Sequence, residues 1–481
     1  MHFVQRIMRL TQLNSLNNIL KYKKNCYPSF EGFSKFLHIT NDEMSMGELN
    51  HTSEYQEIAQ QFLNPSMYGH GVLIIQPYIK WGKAKRKNTS PDLQLLEAEA
   101  LVRTLPNWSV IGSERIPLMT FRKHQLFGRG NLEKLAERVK SNPKITAVFI
   151  SLELLRPIQT VQLQKIFGVD IYDRYSIVIQ IFREHAKTAE AKLQVAVAEL
   201  SLIWKKIAWA SVDSNGRINL TERRKMVLHA RENKLNTALA KLKAHRKLIR
   251  SSRTLRNIPT IAVVGYTNAG KTCLIKALTD DESLVPQNKL FATLDTTSHE
   301  GLLPCRMKVL YMDTIGFIQD LPEELLEPFI ATFEDAIIAD VVVHVYDASH
   351  PDRDAQIQHV RETLNNIMSE LEITSKPIIE VANKCDVAPK GSVSNDVMAV
   401  SALNLTGTDL LRERIEKELL AVTGRKLIKI RVQSGSTAAA WLYKETTVTD
   451  ATPDPNNLQY MVLKVLVTDL QIMKFKKFLS E

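Results

Sequence analysis

The run IAVVGYTNAGKTCLIKAL, residues 261 to 278, decides the fold of the chain around it. Ile261 to Val264 read as a buried strand, a loop with two glycines follows, and the apolar stretch Cys273 to Leu278 reads as a helix. The loop, Gly265 to Thr272, satisfies G-x-x-x-x-G-K-S/T, and strand, loop, helix is the context in which that pattern holds a phosphate. Gly265, Tyr266, Thr267, Asn268, Ala269 and Gly270 supply main-chain N–H groups to wrap a β-phosphate. The helix start at Lys271, Thr272 and Cys273 adds its partial positive charge. Lys271 is expected to reach the β- and γ-oxygens and Thr272 to ligate Mg2+.

Downstream strands end on residues that complete such a site. Asp313-Thr314-Ile315-Gly316 follows the strand Val309 to Met312, which aims a carboxylate at the magnesium shell and a glycine N–H at the γ-phosphate. Asn383-Lys384-Cys385-Asp386 follows the strand Pro377 to Val381, and Ser401-Ala402-Leu403 follows Val397 to Val400. The Asp386 carboxylate can accept from guanine N1 and N2, a donor pair adenine lacks, so GTP or GDP is the expected nucleotide. Four motifs in this order, each at the carboxyl end of a strand, define a P-loop GTPase domain of α/β class.

Hydrolysis needs a residue that senses the γ-phosphate. Thr293, in Phe291-Ala-Thr-Leu-Asp295, lies between the phosphate loop and Asp313, with Thr296 and Thr297 as competitors by spacing. The candidate metal ligands are therefore Thr272, Thr293 and Asp313, and Lys271, Thr293 and Gly316 are expected to act on the γ-phosphate as water attacks in line. Phe317 stands where many GTPases place a water-orienting glutamine, so unaided hydrolysis is expected to be slow. Asn268 reads either as a turn former or as a ligand to a K+ ion that would act like an arginine finger.

The chain of 481 residues is long enough for about three domains. With 44% apolar and 24% charged residues it is neither disordered nor fibrous. Its most apolar stretch, Val341 to Val345, is flanked by Asp340 and Asp347 and is too short to span a membrane, so no membrane insertion is expected. Four scattered cysteines give no disulfide framework or zinc pattern and imply a reducing compartment. The first 40 residues carry six basic side chains and one acid, and Phe3, Ile7, Leu10, Leu13 and Leu16 can share one helical face. Residues 1 to 45 therefore read as a mitochondrial presequence, with a plain solvated tail on a cytoplasmic protein as the alternative.

Residues 66 to 182 read as a small α/β domain, with strands at Val72 to Ile75, Trp108 to Ile111, Thr146 to Ile150 and Ile177 to Ile181, and a helix at Leu132 to Lys140. His124 and His185 stand alone there and read as structural or surface residues. Residues 183 to 256 change character. One helical stripe runs through Leu193, Val197, Leu200, Ile203, Trp204 and Ile207, another through Leu235, Leu239, Leu242 and Ile249, and turn formers lie between them. This hairpin has 18 Lys+Arg against 6 Asp+Glu, a net +12, so with +11 overall the rest of the chain sums to −1. Such a concentration on one helical pair points to RNA phosphates. The GTPase domain spans 257 to 425, and 426 to 481 reads as a small α+β domain of strand, helix, strand and helix.

The quoted motifs resemble the HflX family of ribosome-associated GTPases, in its animal mitochondrial branch. The likeness rests on GYTNAGKT at 265 to 272, KLFATLDTT at 289 to 297, DTIGFIQDLP at 313 to 322, HVYDASHPD at 344 to 352 and NKCD at 383 to 386. It extends upstream through LFGRGNLEKL at 127 to 136 and LQKIFGVDIYDRYSIVIQIF at 163 to 182. The resemblance implies GTP binding with Mg2+, a hydrophobic residue at Phe317, and an amino-terminal domain and hairpin that engage the large ribosomal subunit and its rRNA. It implies a role in splitting or recycling mitochondrial ribosomes or in large-subunit biogenesis, with the matrix as location; the sequence does not fix the oligomeric state, and a monomer is the expectation. One departure is plain: bacterial relatives carry a glycine-rich segment between the hairpin helices, whereas residues 212 to 220 hold a single glycine, Gly216. The competing readings are an RNA-binding assembly factor without splitting activity, a GTPase acting on a non-ribosomal RNA, and a membrane-surface signalling GTPase. The last is disfavoured by the end Leu479-Ser480-Glu481, which carries no lipidation motif.

Overall fold

The computed structural model describes residues 53–63, 69–82, 89–121, 123–213, 222–255, 258–294, 296–319, 337–370, 376–389, 391, 397–455 and 457–480. The presequence-like stretch and the tip between the hairpin helices lie outside the described residues. The chain divides into residues Met1–Ile58, where helix α1 (Ser53–Leu63) begins, and Ala59–Glu481, which holds everything described below.

Strand β1 (Gly71–Ile79) carries Val72, Leu73, Ile74 and Ile75 in succession, and such a run is stable only where both faces of a sheet are covered. It lies inside a parallel sheet with β2 (Ser109–Leu118), β3 (Ala147–Ile150) and β4 (Asp170–Asp173), in the order β2-β1-β3-β4 among the described residues. Helices α2 (Pro91–Thr104), α3 (Arg129–Ser141) and α4 (Pro157–Phe167) make the crossovers. Ser90 caps α2 by accepting from the Leu93 amide, with Pro91 at the first helical position, where its missing N–H costs nothing.

The stretch Ile177 to Ile181, expected as the fourth strand, is instead the middle of helix α5 (Arg174–His185), and the fourth strand is β4. Every residue from Arg174 to Phe182 is buried, so no polar face interrupts the apolar run. A fully buried helix and a fully buried strand then look alike by periodicity. The local signal was the cap: the Asp173 carboxylate accepts from the Ser176 amide at 2.8 Å.

Helix α5 leads into α6 (Ala189–Asp213), which with α7 (Glu222–Leu255) forms the expected hairpin. Leu200, Ile203, Leu228 and Leu235 are buried along its seam. Arg246, near the end of α7, pairs with Glu190 at the start of α6, and Trp204 lies 4.7 Å from the His229 ring, so the helices run antiparallel.

The GTPase domain supplies β5 (Thr260–Gly265), α8 (Lys271–Thr279), β6 (Thr297–Leu302), β7 (Lys308–Asp313), β8 (Val341–Asp347), α9 (Arg353–Glu370), β9 (Ile378–Asn383), β10 (Met398–Ala399) and α10 (Thr408–Thr423). Among the described residues its sheet has the order β10-β9-β8-β5-β7-β6, with only β6 antiparallel. Beyond it, β11 (Arg425–Gln433), α11 (Thr437–Glu445), β12 (Thr447–Asp454), β13 (Asn457–Thr468) and α12 (Asp469–Ser480) build an antiparallel sheet, β11-β13-β12, covered by two helices. Strands β6 and β12 are additions to the sequence reading. Both are rich in polar residues, and both take their β-structure from pairing with a neighbour rather than from their own periodicity. No helix among the described residues is long and apolar enough to cross a membrane.

Candidate nucleotide site

The four motifs meet at the carboxyl ends of β5, β7 and β9 and beside β10, where an open parallel sheet leaves a crevice. A cavity of about 380 Å³ lies there, lined by Thr267, Asn268, Gly270, Lys271, Thr272 and Cys273 of the phosphate loop, by Thr293 and Gly316, and by Asn383, Lys384, Asp386, Ala402 and Leu403. That volume lies in the range of pockets that hold small ligands. A larger cavity of about 670 Å³ opens at the ends of β1 and β3 and is lined by none of the motif residues.

Thr272 and Asp313 come together as expected. The Thr272 hydroxyl donates to Asp313 Oδ2 at 2.6 Å, and Thr293 Oγ1 lies 3.1 Å from both Thr272 Oγ1 and Asp313 Oδ2. Thr293 is therefore the threonine that reaches the cluster. Its competitor Thr297 is exposed at the start of β6, paired in register with Asp313, and Thr296 keeps a buried hydroxyl with no hydrogen-bond partner. The Asp313 carboxyl is buried and held above the usual carboxylate range by that burial, against the hydrogen bond from Thr272 and the charge of Lys271. Its Oδ1 is buried with no hydrogen-bond partner. Two hydroxyls and a carboxylate with an uncommitted buried oxygen form the hard-oxygen set that suits Mg2+, which keeps its remaining positions for water and phosphate.

Lys271 is buried, and its Nζ donates to the carbonyls of Tyr266 at 3.0 Å and Gly265 at 3.3 Å. Burial pulls its pKa down to about 8, with Asp313 opposing the shift. Gly270 sits at φ +89°, and a Cβ there would lie 2.4 Å from Asn383 Nδ2. That close approach is used: Asn383 Nδ2 donates to the Ala269 carbonyl at 2.9 Å, and its Oδ1 accepts from the Ala402 amide at 3.1 Å. Asn383 thereby ties the phosphate loop to the base side of the cavity. Lys384 Nζ bridges the Asn268 carbonyl at 2.9 Å and Asp347 Oδ2 at 2.7 Å. Asp386 is exposed at the cavity edge, free to meet a base.

Some expected residues contribute main chain only. Tyr266 and Ala269 are buried away from the cavity, and the Ser401 hydroxyl accepts from the Asn404 amide at 3.2 Å, shaping its turn. Asn268 has φ +60°, and its amide donates to Asn288 Oδ1 at 2.8 Å, which favours the turn-forming role. Phe317 is buried, its amide donating to the Gly265 carbonyl at 3.1 Å while its own carbonyl accepts from Thr267 at 2.7 Å. Its ring is thereby turned into the core. The sequence reading missed Asp347, although it stands at the end of the most apolar strand, where the other motifs also stand. Burial opposes ionisation of Asp347, but Lys384 and Ser349 outweigh it and hold its carboxyl below the usual range.

Comparison with known proteins agrees with this geometry. Residues 260–384 match the family described as 50S ribosome-binding GTPase, and residues 92–183 match GTP-binding GTPase N-terminal. The chain is 40% identical over 420 residues to GTP-binding protein 6 of Xenopus laevis, covering 85% of this chain and 79% of that protein. It is 38% identical over 418 residues to GTP-binding protein 6 of Homo sapiens, with coverage of 84% and 80%. It is 34% identical over 331 residues to GTPase HflX of Caldanaerobacter subterraneus subsp. tengcongensis, with coverage of 65% and 75%.

Proposed function

This chain belongs to the HflX family of GTPases, and on that premise we propose that it acts on the large subunit of the mitochondrial ribosome, in splitting or biogenesis. The GTP-bound form grips rRNA through the hairpin α6–α7, and hydrolysis to GDP loosens the grip. The observation that carries the reading is the meeting of Thr293 with Thr272 and Asp313, because it links a loop outside the phosphate cradle to the place where a γ-phosphate would be sensed. The ribosomal partner is supported by the family match and by the +12 charge concentrated between residues 183 and 256. The matrix location is supported by the basic, acid-poor first 40 residues.

Within the site, Lys271 neutralises charge on the β- and γ-oxygens, loop N–H groups hold the β-phosphate, and the Gly316 N–H faces the γ-phosphate as water attacks in line. Mg2+, held by Thr272, Thr293 and Asp313, would supply further charge compensation to the phosphates. Because Phe317 is turned into the core, no side chain at that position orients water, and the ribosome is expected to provide that order.

Purified large subunits should therefore raise phosphate release by about tenfold or more. A chain with Arg224 and Lys234 both changed to glutamate should lose the stimulation while keeping its unstimulated rate. For the same variant, the slope of log affinity for rRNA against log salt should flatten by about 1.5. Unchanged turnover with large subunits would reject the proposal. Sedimentation of intact monosomes with a non-hydrolysable GTP analogue then separates the two roles: free subunits mean splitting, whereas co-migration only with immature large subunits means assembly.

A further inference from the structure

We infer that Glu97 and Arg174, which lie outside the GTPase domain, are positioning residues for GTP hydrolysis: with Tyr266 they clamp the main chain of Gln319 and so set the loop that carries Asp313 and Gly316. The inference rests on the reading of this site as a GTPase site and deepens it.

The clamp is a closed ring of hydrogen bonds. Tyr266 Oη donates to Glu97 Oε2 at 2.9 Å and accepts from the Gln319 amide at 2.8 Å. Arg174 Nη2 donates to the Gln319 carbonyl at 3.0 Å and pairs with the other Glu97 oxygen. Both main-chain polar groups of Gln319 are thus held by side chains from the phosphate loop and α5, which Glu97 of α2 links. The Arg174 side chain is 4% exposed, and the Tyr266 hydroxyl is pushed well above its ordinary range, chiefly by burial. Desolvating an arginine and a carboxylate costs free energy that their attraction only partly returns, so such a pair is better suited to fixing one geometry than to adding stability.

What the ring fixes has little slack. Gln319 lies three residues after Gly316, and between them Phe317 is bonded through both its amide and its carbonyl to the phosphate loop. A Cβ at Gly316 would stand 2.8 Å from Thr267 Cα, so the loop already lies against the cradle. With residue 317 pinned by the cradle and residue 319 by the ring, the Gly316 N–H has one place to be. The far end of the same helix α5 reaches the other loop. His185 Nδ1 lies 2.6 Å from the Phe291 carbonyl, and the Phe182 ring meets the Phe291 ring edge-on at 4.9 Å, two residues before Thr293. One helix therefore touches both loops that flank the γ-phosphate position, then leads into the hairpin.

The test uses the full chain with Tyr266→Phe, Glu97→Gln, the double variant and Arg174→Lys, reading kcat and KM for GTP and the Kd of a fluorescent GDP. Each of the first two variants should lower kcat by about tenfold or more while the GDP Kd moves by less than about threefold. The double variant should be no worse than the poorer single one, because the two side chains act through one ring. Arg174→Lys, which can reach the Gln319 carbonyl but not bridge to Glu97, should retain an intermediate kcat. A kcat within twofold of wild type in both single variants, or multiplicative losses matched by equal losses of GDP affinity, overturns the clamp. If the wild-type chain itself does not prefer guanine nucleotides, the underlying GTPase reading fails instead.

Discussion

A methyl group is enough to test the γ-phosphate side of the site. At Gly316 a Cβ would stand 2.8 Å from Thr267 Cα and Cγ2 and 3.0 Å from Lys271 Nζ, so the substitution pushes the Gly316 loop off the cradle. On the proposed function, GDP makes no demand on that N–H, whereas hydrolysis does. Gly316→Ala should therefore lower phosphate release by about tenfold or more and leave GDP affinity within about threefold. Stopped-flow phosphate detection and nucleotide titration measure the two quantities separately, and equal losses in both would show that the residue serves binding alone. At this scale the sequence is highly informative: Thr272, Asp313, Asn383 and Lys384 meet where their motifs placed them. It is silent on side chains that turn inward, such as Tyr266 and Phe317, because a one-dimensional pattern does not say which face of a loop meets the core.

Among the elements, β9 carries a titratable group whose effect has a definite sign. Glu380 is held at about 2, below its ordinary 4.5, by the buried His344 imidazole 3.9 Å away and by the Arg361 guanidinium, while burial opposes them. The unfolded chain therefore takes up this proton more readily than the folded one. Its stabilising contribution is complete above about pH 4.5 and is lost as pH falls from 4.5 toward 2. Urea unfolding should show Glu380→Gln less stable than the parent at neutral pH, with the gap closing in acid; a gap that widens in acid would refute the assignment. Element identity was legible in helices with one polar face, such as α3 and α6, and ambiguous in the fully buried run of α5, where periodicity does not separate helix from strand. Helix α5 reads as a strand for that reason, and its buried faces are also what let it reach both nucleotide loops.

Across the whole molecule, Leu466 is among the side chains that join the last sheet to the GTPase domain. Leu466 of β13 is 3% exposed and packs into the core formed by β5, β7, β8 and α10 rather than into its own sheet's core. Leu466→Ala should cost about 2 to 4 kcal/mol, seen as a lower urea midpoint for the nucleotide-binding domain with GDP affinity unchanged in native buffer. An unaffected midpoint would mean that the two units unfold independently. The phosphate loop and the guanine motif could be read from adjacent residues, since each is a short pattern whose chemistry depends on near neighbours, and the basic hairpin from its charge count. Tertiary structure alone separated Thr293 from its competitor Thr297, turned Asn268 toward Asn288, and closed a ring in which Tyr266 meets Glu97 across 169 positions and Arg174 meets Gln319 across 145. The partners of a buried polar group depend on which elements the fold packs together, and no local pattern encodes that.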